Sequence, residues 1–463
     1  MLALLIVDFS EINTRFLGDD ATQNLRSALN FLHHGIYSEA PLGDSVIAGY
    51  RREPVPNLIL SFYLAVLSKI IPGFDYQSFP FDPALVRMSK WINLAYVMAL
   101  FVSIWLLIRR LVAPYFAADL VTLPLFCLIN HFFIAGQVNN LNTELPAALF
   151  LVWISLGLVL AEQSRHWSWI CMSGLCFGLL VLTKAITAYV GLIAIPLLSL
   201  CISSCLQIRR VFKVFALLSL GFALTVAPWV YRNHYKFDRP VIANGAGDVL
   251  LIRSVFNTMN NQEFANSFYA YAPKVIRDDV LGPLMGLSQD DLECGQALDR
   301  FNRKLDCDKV AIKEKRYSDV RSFYQIGKRA LPRSMDLKRE QKQSEAVYRI
   351  MADPKRHLAV TLPMAWRGLW SFGSKISPSA VALNVASYLA LFLAPVLGII
   401  QKRFVWIYIS LVPVGNFMFY ASFSHFLPRY SEPLIPIATI CLLLVLVDCL
   451  TRIFPSAPIR LRF

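Results

Sequence analysis

A few charged side chains stand out in a chain of 463 residues that is 56% hydrophobic. Asp19 and Asp20 follow a short apolar start and open an amphipathic segment. Glu53 lies in Arg51-Arg52-Glu53-Pro54, and Glu144 follows the run Asn139-Asn140-Leu141-Asn142-Thr143. Lys184, Arg232 and Arg429 stand at the ends of apolar stretches, with His425 and Tyr430 close to Arg429. Charges beside a bilayer are costly and are usually kept for function. Carboxylates and cations together suit one kind of chemistry. A carboxylate can take the proton of an attacking hydroxyl. Fixed cations stabilise a leaving group that gains negative charge, and Arg can grip a phosphate through two hydrogen bonds. Asp19 is the candidate base. Lys184, Arg232 and Arg429, with Arg51 or Arg52 as substitutes, are the candidate phosphate partners.

Each residue also has a structural reading. Asp20 can cap the helix that begins beside it. Glu53 can pair with Arg51 or Arg52. Glu144 can orient an acceptor or the first-loop carboxylate, and Lys184 and Arg232 can snorkel to the interface. His425, at a helix end among aromatics, reads as a packing residue. Asp19, Asp20, Glu144 and His425 could converge on a divalent cation, but no ligand spacing supports one. The pattern implies no cofactor.

The elements that carry these residues are membrane spans. Apolar runs at 88–108, 114–135, 143–161, 167–184, 185–206, 211–231, 379–400, 404–423 and 433–449 approach the roughly 20 residues a spanning helix needs. Residues 1–7 read as the tail of a further span, giving about ten. The net charge is +14, but the basic residues are spread through short loops and form no single stripe, which argues against nucleic acid. Arg109-Arg110, Arg165, Arg209-Arg210 with Lys213, Lys402-Arg403, and Arg452 with Arg460 and Arg462 fall at every second connection. The positive-inside rule puts these loops in the cytoplasm. The opposite face then receives Asp19, Asp20, Glu53, Glu144, Lys184, Arg232, His425 and Arg429.

Two segments read as lying along the outer surface. Residues 21–35 carry Leu25, Ala28, Leu29 and Leu32 at helical spacing. Residues 56–71 would break the alternation of basic loops if they spanned, and read as a second juxtamembrane helix. The chain thus divides into an N-terminal catalytic transmembrane module, 1–232, with a first outer loop at 9–87. An extracytoplasmic insertion follows at 233–375 and C-terminal transmembrane helices at 376–463. The start of the insertion, 240–247, reads as turns and short strands, its middle as short helices, and 357–370 as interfacial. Of nine cysteines, Cys127, Cys171, Cys176, Cys201, Cys205, Cys441 and Cys449 lie in apolar runs as small packing residues. Cys294 and Cys307 share the polar insertion, either as a disulfide or as two separate thiols.

An ordered set of motifs resembles the GT-C class of membrane glycosyltransferases. The resemblance is closest to the bacterial branch of lipid A aminoarabinose transferases and relatives of protein O-mannosyltransferases. The motifs are Gly18-Asp19-Asp20-Ala21 with His34-Gly35-Ile36-Tyr37; Arg52-Glu53-Pro54-Val55-Pro56; Asn142-Thr143-Glu144-Leu145-Pro146; and Gly178-Leu179-Leu180-Val181-Leu182-Thr183-Lys184. They continue with Ala227-Pro228-Trp229-Val230-Tyr231-Arg232-Asn233 leading into Arg239-Pro240-Val241, and with His425-Phe426-Leu427-Pro428-Arg429-Tyr430 before Pro433 and Pro436. Each is weak alone; their order carries the signal. The resemblance implies an all-α polytopic fold of the GT-C type with two juxtamembrane helices and a mixed outer insertion. It implies an inverting enzyme of the cytoplasmic membrane. Such an enzyme would move a sugar from a polyprenyl-phosphate donor to a lipid-linked, glycan or protein acceptor on the periplasmic or extracellular face. Asp19 falls on the essential acidic position of the first loop, with Asp20 beside it, Glu144 on the second acidic position and Lys184 on the Thr-Lys ending a span. The reacting sugar would become oxocarbenium-like, which a carboxylate also stabilises. Arg52 joins the donor-phosphate set, and Glu53, His425 and Tyr430 are acceptor-side or supporting residues. Thr22 and Gln23 depart from the Arg and Tyr usual after the acidic pair, which argues against aminoarabinose transfer itself. The competing class is a transporter or flippase of a lipid-linked glycan. Transporters often carry paired repeats and midplane polar sites, and neither is evident here.

Overall fold

The computed structural model describes residues 1–15, 17–43, 46–71, 82–203, 207–372, 377–456 and 459–462. Among these residues the chain is helical almost throughout. One short antiparallel ladder pairs Val112–Ala113 with Arg460–Leu461. Seven helices are long and apolar enough to cross a membrane: Pro83–Leu111, Tyr115–Gln137, Glu144–Ser164, Ile208–Phe237, Pro378–Ile400, Val405–Phe423 and Pro428–Ile453. Pro54–Ile70, Trp167–Val181 and Thr187–Ile202 are shorter apolar helices. The chain is an all-α polytopic membrane protein.

The expected spans at 167–184 and 185–206 become helices of 15 and 16 residues. They are separated by a turn in which Thr183 and Lys184 both donate back to the Leu180 carbonyl. That turn lifts Lys184 off the helix axis. The end of the second expected span, with Cys205, lies outside the described residues, as does the expected domain boundary at 375/376.

Two compact units form within the chain. The first comprises Met1–Asn244, Ala386–Gly415 and Glu432–Phe463; the second comprises Gly245–Val385 and Asn416–Ser431. In the first unit, α1 (Asp19–His34) follows its sequence pattern. Ala21, Leu25, Ala28 and Leu29 are buried on one face, and His33 and His34 are exposed. Gly35 ends the helix in the left-handed region at φ 63°. The buried face packs on Leu60, Leu64 and Leu67 of α2 (Pro54–Ile70) and on Leu85, Val86 and Leu141. Each such side chain contributes about 1.5–3 kcal/mol when fully buried. The buried side-chain amide groups of α1 donate to backbone carbonyls. Asn24 donates to the Leu141 carbonyl, and Asn30 donates to the carbonyls of Ser38 and Ala40.

Small residues bring α3 (Trp167–Val181) and α4 (Ile208–Phe237) into close contact, as helices do where lipid gives little hydrophobic drive for association. A Cβ on Gly221 would lie 2.2 Å from the Cys171 carbonyl oxygen. Gly221→Leu should therefore force the two helices apart and lower the melting temperature in detergent by several degrees. An unaltered melting curve would contradict this crossing. At 30 residues, α4 is about 45 Å long. It exceeds the hydrocarbon thickness of roughly 30 Å, so its C-terminal turns, with Arg232 and Asn233, extend past the apolar layer.

Of residues 240–247, expected to hold turns and short strands, 240–245 carry no strand and 246–247 begin the helix Ala246–Val255. Side chains of α4 use the carbonyls a ladder would need. Asn233 donates to Val241 and Ile242, and Trp229 Nε1 donates to Ile242.

The second unit is built on α5 (Ala246–Val255), α6 (Asn261–Tyr271), α7 (Gln341–Ala352) and α8 (Pro354–Leu369). An Asn260–Glu263 capping box starts α6, and Arg300 pairs with Glu263 at 2.9 Å. Arg253 is fully buried. It donates to the His357 carbonyl at 2.9 Å and to the Asn257 side chain at 2.9 Å. Burial pushes its guanidinium down to about 9. Phe256, Phe301 and Phe323 form the aromatic centre. Cys294 and Cys307 form a disulfide.

Candidate active site

The acidic pair sits in the first turn of α1. There the helix dipole favours negative charge, and Gly18, rather than a carboxylate, occupies the cap position without a side-chain bond. Asp19 is exposed, and Asp20 is partly buried. Asp20 does not cap the helix. It forms an ion pair with Arg52, whose Nε also donates to Gln23 at 3.0 Å. Gln23, one of the two departures from the family pattern, thus fixes the guanidinium against the first-loop carboxylate.

Arg52 leads into α2 through Glu53. Tyr37 Oη donates to the carbonyls of Arg52 and Glu53 at 3.1 and 2.9 Å. Asn57 donates to the same phenol oxygen at 2.7 Å. Burial raises the Tyr37 phenol well above its ordinary range, aided by the nearby Glu53. It therefore stays a proton donor to the loop at physiological pH. The Glu53 carboxylate faces the turn after α3, where the Ala185 amide lies 3.5 Å away. In the same approach, Val55 N–H donates to the Leu182 carbonyl at 3.2 Å.

Lys184 leaves that turn to meet Glu144, Nζ to Oε1 at 2.9 Å. Glu144 is the first helical residue of Glu144–Ser164 and is 4% exposed. The preceding Thr143 makes no side-chain cap bond. The second Glu144 oxygen, Oε2, is buried and accepts no hydrogen bond among the described residues. A buried carboxylate oxygen without a donor is expensive, and Oε2 is such an unmet acceptor among the described residues. Two ion pairs, Asp20–Arg52 and Lys184–Glu144, are thus linked through the chain neighbours Glu53 and Ala185, with the exposed Asp19 next to Asp20.

Arg232 is held elsewhere in the same unit. It donates to the Gly49 carbonyl at 2.8 Å, to Asn233 at 2.7 Å and to the Tyr37 carbonyl at 3.3 Å, and it stacks over Trp229 at 4.6 Å. These bonds clamp the loop that carries Tyr37. Gln23 and Tyr37 enter the sequence analysis only as a departure and as a motif member, with no site role, and Asn57 does not enter it. They are uncharged, and only their long-range partners reveal their part. Among the described residues no group of three or more His, Cys, Asp or Glu side chains gathers as a metal site.

His425, Arg429 and Tyr430 lie in the second unit. Tyr430 Oη is 3.4 Å from His425 Nε2, Arg429 is 5.5 Å from the Tyr430 ring, and Arg367 donates to the His425 carbonyl at 3.1 Å. Burial, together with Arg367, Arg303, Arg429 and Lys328, holds the His425 imidazole well below its ordinary value. Burial and Arg253 push His357 down to about 4. Both rings are neutral when folded and titrate near 6.5 when unfolded. This contribution to stability is complete above about pH 6.5 and is lost as pH falls from there towards the folded values. The melting temperature should drop between about pH 7 and 4.5. The drop should be shallower in His357→Gln/His425→Gln, and equal slopes would remove the histidines as its cause.

No family model matches the sequence, and no curated protein does. Among solved structures, the chain is similar to the apo oligosaccharyltransferase of Archaeoglobus fulgidus, with 11% identity and a TM-score of 0.49 over 98% of this chain and 51% of that one. A second structure of that enzyme, AglB in complex with an inhibitory peptide and a dolichol-phosphate, gives 12% identity and the same TM-score of 0.49. The chain spans about half the length of these enzymes. ArnT from Cupriavidus metallidurans in the apo state gives 14% identity and a TM-score of 0.37, over 95% of this chain and 76% of that one. These proteins are GT-C glycosyltransferases, the class whose motifs the sequence resembles.

Proposed function

We propose that the chain is an inverting glycosyltransferase. It would move a sugar from a polyprenyl-phosphate donor to an acceptor hydroxyl on the extracytoplasmic face of the cytoplasmic membrane. The observation that supports this most is the Lys184–Glu144 pair with Glu144 Oε2 left without a donor, connected through Ala185, Glu53 and Arg52 to Asp20. Asp19 is the base. Its carboxylate has no cation within bonding distance among the described residues, so it is free to take a proton. Asp20, neutralised by Arg52, fixes the loop that presents Asp19. Lys184 and Arg52 face the departing lipid phosphate, and Glu144 Oε2 accepts a hydrogen bond from a sugar hydroxyl. The acceptor oxygen bonds to the anomeric carbon as the bond to the phosphate oxygen breaks. The proton passes to Asp19, and the phosphate leaves with the added negative charge.

The experiment is transfer by the purified protein in lipid nanodiscs, given a polyprenyl-phosphate sugar and extracts of envelope glycans as acceptors. The product should carry the opposite anomeric configuration. Retention, or movement of intact donor across the bilayer without cleavage, would refute the proposal. Arg52→Gln should raise the apparent donor constant and slow transfer about 10- to 100-fold, since it loses a charge-assisted bond and releases Asp20. An unchanged constant would remove Arg52 from donor binding.

A further inference from the structure

Within the second unit a cavity of about 350 Å³ is lined by Lys328, Arg329, Arg333, Arg339 and Lys342, with Pro332 and Leu337. No carboxylate lines it among the described residues. Several other cations of this unit pair with acids, Arg277 with Asp278, Arg300 with Glu263 and Arg349 with Glu345, whereas Arg253 and Arg367 are bonded to backbone carbonyls. In the cavity, Lys342 pairs with Asp248 at 2.6 Å. Lys328 instead lies 5.3 Å from the Tyr324 ring, and Arg333 donates to the Tyr317 phenol. Neither has an ion-pair partner among the described residues, and the same holds for Arg329. Like charges around one concavity repel each other and focus a positive field, so the arrangement is relieved by a bound polyanion.

The backbone holds this arrangement in place. Lys328 and Arg329 lie on a π-helical turn, Ile326–Ala330, that runs directly into Leu331–Ser334. Such turns are rare and often occur at functional sites. Gly327 seats the turn against α5, where a Cβ would come 2.5 Å from Ile252 Cα. Any larger residue would push the turn away. Lys342 is fixed to the same helix through Asp248. The cationic side chains are therefore carried by packed helical backbone.

We propose that this cavity binds a phosphate oxyanion bearing at least two negative charges. The guanidinium groups of Arg329 and Arg333 would make the directional contacts, and Lys328 and Lys342 would supply charge. The volume falls within the usual range for small-ligand sites. The site is independent of the proposed transfer reaction, and its test needs no sugar donor.

The test is isothermal titration calorimetry on the full chain in a neutral detergent at low salt. Two probes are used separately: inorganic pyrophosphate and dihexanoyl phosphatidic acid. At least one should bind, and affinity should fall as salt rises. Tighter binding of pyrophosphate assigns the site to a soluble phosphate, whereas tighter binding of the short-chain lipid assigns it to a lipid headgroup. Arg329→Gln/Arg333→Gln should weaken the better probe by about tenfold or more, because two charge-assisted donors are lost. Arg329→Gln alone removes an exposed side chain and preserves the test if the double variant misfolds; it should show a smaller loss in the same direction. Binding of neither probe, or binding unaffected by these substitutions, overturns the proposal.

Discussion

Asp19→Asn should leave the protein folded and able to hold its donor while transfer falls by about 10²–10⁴-fold, the usual contribution of a positioned general base. The side chain is exposed at the start of α1 and makes no tertiary hydrogen bond or ion pair among the described residues, so its amide replacement removes proton-accepting capacity with little structural cost. Asp20→Asn should behave differently. It breaks the ion pair with Arg52 and loosens the loop that Gln23 also holds. Its signature should be a higher apparent donor constant with a smaller loss of turnover. The measurement is a full kinetic comparison of both variants in nanodiscs. If Asp19→Asn retained full turnover and Asp20→Asn lost it, the base would be Asp20.

Lys184→Ala should have the largest effect on stability in the site. Lys184 is the ammonium bonded to a nearly buried Glu144, whose other oxygen already lacks a donor. Removing it leaves an uncompensated carboxylate, at a cost of about 3–5 kcal/mol. The variant should melt earlier, and donor binding should weaken. In Lys184→Ala/Glu144→Gln the isolated charge is absent, so most of the stability should return while donor binding stays weak. That separation distinguishes a phosphate contact from a purely structural pair. Recovery of both would reduce Lys184 to a counter-ion for Glu144. Recovery of neither would contradict the buried-charge account.

Much of this arrangement was legible in the sequence because it depends on periodicity and on charge against an apolar background. The spacing of Leu25, Ala28 and Leu29 marks the buried face of α1. Glu144 and Lys184 are legible as charges at the ends of apolar runs. Their pairing is not, because it spans 40 positions and depends on the turn at 182–186. A local structural reading pairs Glu53 with Arg51 or Arg52, its neighbours, but Arg52 is taken by Asp20, 32 positions away. Here a tertiary partner takes the place of a neighbour in sequence. The parts of Tyr37 and Asn57 depend on hydrogen bonds to backbone carbonyls, which no side-chain pattern announces. The strand reading at 240–247 failed for a related reason: Asn233 and Trp229, on a neighbouring helix, take the carbonyls of Val241 and Ile242.

The Cys294–Cys307 bond ties a 13-position separation in a region of short helical turns. In the chain-entropy account, a loop of about this length is worth about 3 kcal/mol. Such a bond lasts only in an oxidising compartment. A host lacking thiol-oxidation machinery would therefore make a protein with an unstapled second unit, more open to protease nicking there than in its transmembrane helices. Production strains should be chosen with that weakness in mind.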